Sequence, residues 1–196
     1  MYPAEELRSR LRDALRPAPH LRSEPGRRLA AVLIPVLAAG AEASVVFTRR
    51  TETLTRHPGE ISFPGGLVDP GEDLPHAVLR EAEEELGLLA SDVELLGTLE
   101  PVHTHVSGIL VVPFVGMLWE DPRFTPNPAE IAEVLKFPLR DLAEVGGERD
   151  FEYAGREFRT FVYDMEGSVI WGATGRILWA FIEMLRDSGV PVREGA

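Results

Sequence analysis

Apolar and polar positions recur along this chain with two distinct periods, and each period predicts an element. Residues 1–15 follow the helical period, with Leu7, Leu11, Ala14 and Leu15 on one face and charges on the others. Residues 16–28 are rich in Pro, Arg and Ser and predict a linker. Residues 29–38 are almost wholly apolar and β-branched, which predicts a strand. Residues 44–49 predict its hairpin partner across the Ala39-Gly40 turn. Pro35 inside the first of these strands predicts an edge or a bulge.

The clearest helical signal covers residues 75–86. Pro is tolerated in the first turn, Asp73 is available as a cap, and Gly87 supplies the stop. Val78, Ala82 and Leu86 recur at i, i+4 and i+8, with Leu79 beside them, as the buried stripe. Further strands are predicted at 93–99 and 110–119, and 133–139 runs into another strand or its approach. Residues 151–153 and 158–163 flank Ala154-Gly155 as a second hairpin. A last helix over about 171–186 buries Leu178, Phe181, Ile182 and Leu185, and residues 187–196 are expected to fray. Strands around a buried central helix, closed by a C-terminal helix, predict an α/β/α sandwich around a mixed sheet. With 196 residues, 44% of them apolar, one full core and a single domain are expected.

The polar side of helix 75–86 carries the chemistry. Glu81, Glu84 and Glu85 stand at i, i+3 and i+4, so three carboxylates crowd one patch. Like charges at that spacing destabilise a helix unless something neutralises them. A solvated acidic face is the plain reading of such a run alone. A hard divalent cation, Mg²⁺ above all, is the chemical one. Phe63-Pro64-Gly65-Gly66 precedes the helix, and its glycines let chain and ligand approach closely. The Gly65 carbonyl is a further candidate ligand. Pro70-Gly71 turns Glu72 back toward the helix.

Composition narrows the classes. There is no cysteine, which excludes disulfides, thiolate catalysis and Cys-ligated zinc. A formal net charge of −12 argues against non-specific nucleic-acid binding. It leaves room for a small anionic substrate, because a metal and a few arginines invert the field locally. No run of 18 apolar residues predicts a membrane span. A cytoplasmic enzyme is expected, and its oligomeric state is open. His103 and His105 lack a third nitrogen or sulfur ligand, so with His57 they read as loop residues.

Gly66, Glu72, Arg80, Glu81, Ala82, Glu84, Glu85, Gly87 and Leu88 together fit the pattern G-x5-E-x7-R-E-U-x-E-E-x-G-U, with U a bulky aliphatic. Residues 66–88 thus resemble the Nudix box, the signature of hydrolases that cut a diphosphate linked to another moiety. Ala82, smaller than usual, is the one departure. The resemblance implies the Nudix fold and one or more Mg²⁺ or Mn²⁺ ions. Glu81, Glu84 and Glu85 match the metal-binding and base-supplying acids, with Glu85 and Glu81 foremost as ligands and the Gly65 carbonyl beside them. Arg80 is expected to orient these carboxylates. Glu72 is either its structural partner or a group near the metal. Which acid serves as base varies within the superfamily. Glu130, after a Pro-rich loop, is a further ligand, the base, or an exposed acid at a helix start.

A second resemblance concerns substrate. Thr48, Arg50, Gly59, Phe63, Pro64, Gly65 and Gly66 stand in the register of the coenzyme A pyrophosphatases of this superfamily, whose upstream pattern is L-L-T-x-R-S/A-x3-R-x3-G-x3-F-P-G-G. Thr51 and Thr55 depart from it, with Arg56 one place after the second arginine. The resemblance implies hydrolysis of coenzyme A to 4′-phosphopantetheine and adenosine 3′,5′-bisphosphate. Arg50, Arg56, Phe63 and Gly66 are the candidate substrate-binding residues. Guanidinium geometry suits phosphate oxygens, whereas Phe63 reads more as packing than as a base stacker. The alternatives are a Nudix hydrolase of ADP-ribose, NADH or dinucleotide polyphosphates, and a non-catalytic ligand-binding module. Modules of that kind usually lose acids of the box, and here all remain.

Overall fold

Strand β1 (Leu29–Leu37) organises the molecule, because it is apolar on both faces. In the computed structural model, residues 3–21, 28–40, 42–54, 57–104, 108–153, 155–165 and 167–190 are described. β1 runs parallel to β7 (Leu110–Leu118) over nine residue pairs, from Leu29↔Leu110 to Leu37↔Leu118. On its other side it pairs antiparallel with β4 (Gly65–Leu67) and then with β2 (Ser44–Arg50). β2 is flanked by β3 (Ile61–Ser62) and β8 (Ile131–Pro138), and β7 by β5 (Glu94–Thr98) and β6 (Val102–His103). The result is an eight-stranded mixed sheet.

The alternation of β1 sorts the core into two layers. Ala30, Ile34 and Val36 face one cluster with Leu7 and Leu11 of α1 (Ala4–Ala14) and Leu178, Phe181 and Ile182 of α4 (Gly172–Asp187). Leu29, Ala31, Leu33 and Leu37 face the other, against Leu74, Ala77, Val78, Ala82 and Leu86 of α2 (Leu74–Leu86). This is the expected α/β/α arrangement. A separate antiparallel sheet of β9 (Gly147–Tyr153), β10 (Arg156–Met165) and β11 (Ser168–Ile170) packs on α4 through β10. The short helix α3 (Leu139–Val145) links β8 to it.

Several expectations are corrected. β1 is interior, although Pro35 suggested an edge. Leu33 N–H donates to Pro64 O, so the nitrogen of Pro35, two residues on, faces the same side. There the β4 pairing ends at Val32 and the β2 pairing begins at Val36, so the missing donor falls in a gap between partners. The β1–β2 hairpin is correspondingly brief, and the long partner of β2 is β8. The first part of the expected linker is docked: Arg16 exchanges backbone hydrogen bonds with Thr98, and Leu21 packs on the α2-side cluster. Residues 22–27 lie outside the described residues. Helix α4 runs through Asp187, and Val190 is buried, so the tail is seated to residue 190. Among the described residues, no helix is long and apolar enough to cross a membrane.

Two kinds of contact hold α1. Leu7 and Leu11 are buried in the core, while Glu94 receives Arg8, Arg12 and the Trp119 indole N–H at 2.7–3.0 Å. Burial should dominate, because ion pairs this open to water contribute little. Leu11→Ala is expected to cost roughly 3 kcal/mol. Glu94→Ala is expected to lower Tm by only about 2–4 °C. Thermal denaturation of both variants reads the order, and a larger loss from Glu94→Ala would reverse it.

Candidate active site

Helix α2 forms as its sequence demands. Asp73 Oδ1 accepts the His76 N–H at 2.9 Å, Pro75 sits in the first turn, and Gly87 stops the helix at φ 65°. The loop after β7 finishes the other end. Thr125 N–H donates to Leu86 O at 2.7 Å and Asn127 N–H to Glu85 O at 2.9 Å, satisfying carbonyls the helix leaves open. The same loop delivers Glu130. Ala129 N–H donates to Asn127 Oδ1, Glu130 N–H donates to Asn127 O, and Glu130 O accepts the Thr51 N–H.

Arg80 is the hub of the helix face. Its Nε and Nη2 hold both oxygens of Glu72 at 2.9 and 3.0 Å. Nη1 reaches Glu81 at 2.9 Å and Glu84 at 3.1 Å, and Nη2 also donates to Leu67 O. These bonds raise the Arg80 pKa, and they hold Glu72 below the usual carboxylate range. Glu72 also accepts the Asp69 N–H, which closes the Pro70-Gly71 turn. Arg80 thus contacts Glu72, Glu81 and Glu84, with Glu72 its two-point partner.

The glycines are needed for close approach. A Cβ on Gly66 would lie 2.5 Å from both carboxylate oxygens of Glu81, so that carboxylate rests on the bare Cα. Gly65 has φ 148°, and a Cβ there would meet Val32 Cα at 2.6 Å. Its N–H donates to Glu85 Oε2 at 3.1 Å.

Glu85 is the most perturbed acid of this face. It is 5% exposed, and burial pushes its pKa up to about 7, with the Gly65 hydrogen bond pulling the other way. The charge of Glu81 raises it further, Arg50 lowers it, and Glu130 raises it. Glu81 is also raised, first by burial, with Arg80 opposing and Glu84 and Glu130 adding to the rise. The acids that sense one another are thus Glu81, Glu85 and Glu130. The Glu84 side chain is 59% exposed and turned to Arg80. Among the described residues, no three acids or imidazoles close into a finished metal cage. The donors nevertheless suit a hard cation: they are oxygens, Glu85 is buried and Glu81 half-buried, and their charge is incompletely compensated.

Arg50 falls on the α2 side of β2 by regular alternation, the side that carries Val46, and its charge acts on Glu85. The β2–β8 register shifts beside it, with the extra residue, Ala132, in β8. Arg49 is consumed by Glu133 at 3.1 Å and Ser168 Oγ at 2.7 Å. Among the described residues, Arg50 Nε is buried and meets no hydrogen-bond partner. Phe63 is 3% exposed and stacks on Phe47 with centroids 4.8 Å apart, so it is core packing and does not face the cleft. Glu130 lies in a turn before β8, which removes the helix-start reading. His103 is exposed on β6. Arg56 and His105 lie outside the described residues. Asn127 ties the helix end to the Glu130 loop.

The acids, glycines and arginine lie within a stretch that matches a known family. The Nudix domain family matches residues 26–157. An uncharacterized Nudix hydrolase NudL of Photorhabdus laumondii is 34% identical over 165 residues, covering 83% of this chain and 87% of that protein. One from Yersinia pestis (strain Pestoides F) is 36% identical over 162 residues, covering 81% and 80%. A MutT/nudix family protein from Enterococcus faecalis has the same fold, with a TM-score of 0.56 at 17% identity, covering 88% of this chain and 69% of that one. This chain belongs to the Nudix family. It is a pyrophosphohydrolase of the class that generally uses divalent cations.

The two glycines separate site from scaffold. Gly66→Ala meets only the end of a flexible side chain, so it should keep Tm within a few degrees while displacing Glu81. Activity should fall at least about tenfold, as expected when a transition-state contact is misplaced. Gly65→Ala meets backbone at a positive φ and should destabilise the fold itself. Melting and turnover of the two variants test this, and a fully active Gly66→Ala would remove Glu81 from the site.

Proposed function

We propose that this chain hydrolyses the diphosphate of coenzyme A, or of its derivatives, to 4′-phosphopantetheine and adenosine 3′,5′-bisphosphate, with Mg²⁺ or Mn²⁺. The observation that carries this reading is Arg50. It is a guanidinium with an unused buried N–H beside the acid cluster, in the Thr48-x-Arg50…Gly59…Phe63-Pro64-Gly65-Gly66 register of the coenzyme A pyrophosphatases. A phosphate oxygen is the natural acceptor for it. Arg56, one place beyond the second arginine of that pattern, would supply a second cation for a substrate that bears a 3′-phosphate besides its diphosphate.

In this reading Glu81 and Glu85 hold the cation, with Glu84 and the Gly65 carbonyl as further donors. When bound, that ion neutralises charge on the diphosphate. Arg80, braced by Glu72, keeps Glu81 and Glu84 in place. Gly66 leaves room for Glu81, and Glu130 faces the pair as the additional ligand or the base that takes a proton from the attacking water.

Glu85→Gln preserves an acceptor for the Gly65 N–H and removes a buried charge. In excess chelator it should melt a few degrees above the unaltered protein, since the charged form is the costly one. Its kcat with Mg²⁺ or Mn²⁺ should fall roughly 10²-fold or more. Chelator should silence the unaltered enzyme and either ion restore it. Turnover undiminished by chelator, or a Glu85→Gln variant at full rate, would contradict the assignment.

Substrate choice is read by a panel scored for released phosphopantetheine or nucleotide. Coenzyme A should show higher kcat/KM than dephospho-coenzyme A, ADP-ribose or NADH. Arg50→Ala should reduce that value about 10- to 100-fold, the loss expected for a charge-assisted hydrogen bond. If ADP-ribose, NADH or a dinucleotide equals coenzyme A, the reading passes to those substrates.

A further inference from the structure

The second sheet carries side chains that the acid cluster does not use. Phe151 and Tyr153, two apart on β9, share a face, and both rings pack on Trp171 with centroids 5.1 and 4.4 Å away. Tyr153 is 38% exposed, while Phe151 and Trp171 are half-buried behind it. Tyr153 therefore presents aromatic surface to solvent from a braced position.

This aromatic cluster adjoins the strand that carries Arg50. β11 packs against β3, and the bond from Arg49 to Ser168 ties β11 to the strand that carries Arg50. The Glu60 carboxylate lies against the Tyr153 hydroxyl, and Glu60 with Glu52 raises the pKa of that phenol, Glu60 first. The Arg50 N–H donates to Glu60 O at 3.0 Å. His57 Nδ1 lies 2.8 Å from Glu60 Oε2, and the several lone pairs of a carboxylate leave room for a further donor beside it and the Tyr153 hydroxyl. Glu52 covers Gly59, where a Cβ would come within 3.0 Å of its carboxylate carbon. The order from the acid cluster outward is Arg50, Glu60 with Glu52, then Tyr153 backed by Trp171.

That order suits a ligand whose two ends differ. The phosphate end needs the cation, which is Arg50. Carboxylates farther out would repel phosphate, but they accept hydrogen bonds from a donor. An aromatic ring beside an acceptor fits a flat, uncharged heterocycle bearing an exocyclic amine. We propose that Tyr153, braced by Trp171 and Phe151, stacks the nucleobase of the substrate, and that Glu60 accepts from its amine. The site is thereby selective for an adenine-type nucleotide over a hypoxanthine one. This rests on the diphosphate being cut at the acid cluster and does not require that the substrate be coenzyme A.

The test is equilibrium binding of adenosine 5′-monophosphate, inosine 5′-monophosphate and ribose 5-phosphate to the intact protein, read by calorimetry and by Trp171 fluorescence, with Trp171→Phe assigning the signal. Adenosine monophosphate should bind about tenfold more tightly than either of the others and change the Trp171 emission. Tyr153→Ala should abolish that advantage while leaving ribose 5-phosphate binding unchanged. Glu60→Gln should narrow the gap between adenosine and inosine forms, because an amide also donates to the hypoxanthine oxygen. Should Tyr153→Ala fail to fold, the Trp171 signal decides. Equal binding of the three ligands, or adenosine monophosphate binding without change at Trp171, overturns the base wall. Inactivity on coenzyme A with this binding pattern intact would instead overturn only the substrate reading above.

Discussion

A buried carboxylate is the constraint around which the site is built. Glu85 stands in the last turn of α2, where the helix dipole already disfavours negative charge, and burial raises its cost again. The surrounding structure offsets that cost in several small ways. The Gly65 N–H donates to the carboxylate, Arg50 brings a positive charge toward it, and the Thr125 and Asn127 N–H groups satisfy the helix carbonyls on either side. None of these is a full counter-ion. A pair of acids left this far from neutral inside a folded chain is strained for stability and well matched to a divalent cation.

That constraint fixes the backbone as much as the side chains. Glu81 lies on the Cα of Gly66 and Glu85 on the N–H of Gly65, so β4 must run directly beneath α2. β4 is held there by pairing with the first residues of β1, and the odd face of β1 is the floor on which α2 packs. Sheet, glycine strand and helix are therefore one object. The small Ala82, fully buried against that floor, belongs to the same close contact.

Local features were legible in the sequence because local physics decides them. The helix bounds follow from Asp73, Pro75 and Gly87, and the Arg80–Glu72 pairing follows from a turn that can fold only one way. Long-range features were not. Nothing near Pro35 shows that β1 changes partner there, so a central strand read as an edge. Periodicity places Glu84 with Glu81 and Glu85 on one patch, but Arg80, four residues earlier, draws Glu84 outward. Glu130, forty-five positions beyond Glu85, takes the place across the cleft. α3 and β11 are too short to carry a period. Phe63 reads as packing from the sequence, and the Phe47 ring it stacks on is the partner its neighbours do not reveal.

Arg49 and Arg50 show how little residue type alone determines. Both are arginines at the end of one strand, and regular alternation would put them on opposite faces. The shift beside them leaves that alternation intact, because the extra residue, Ala132, lies in β8. Arg49 becomes a strut joining β2, β8 and the second sheet. Arg50, on the other face, brings its charge to bear on the acids with a buried donor to spare. Because the strut fixes β11, and β11 leads into Trp171, the strand that carries Arg50 also holds the aromatic residues in place.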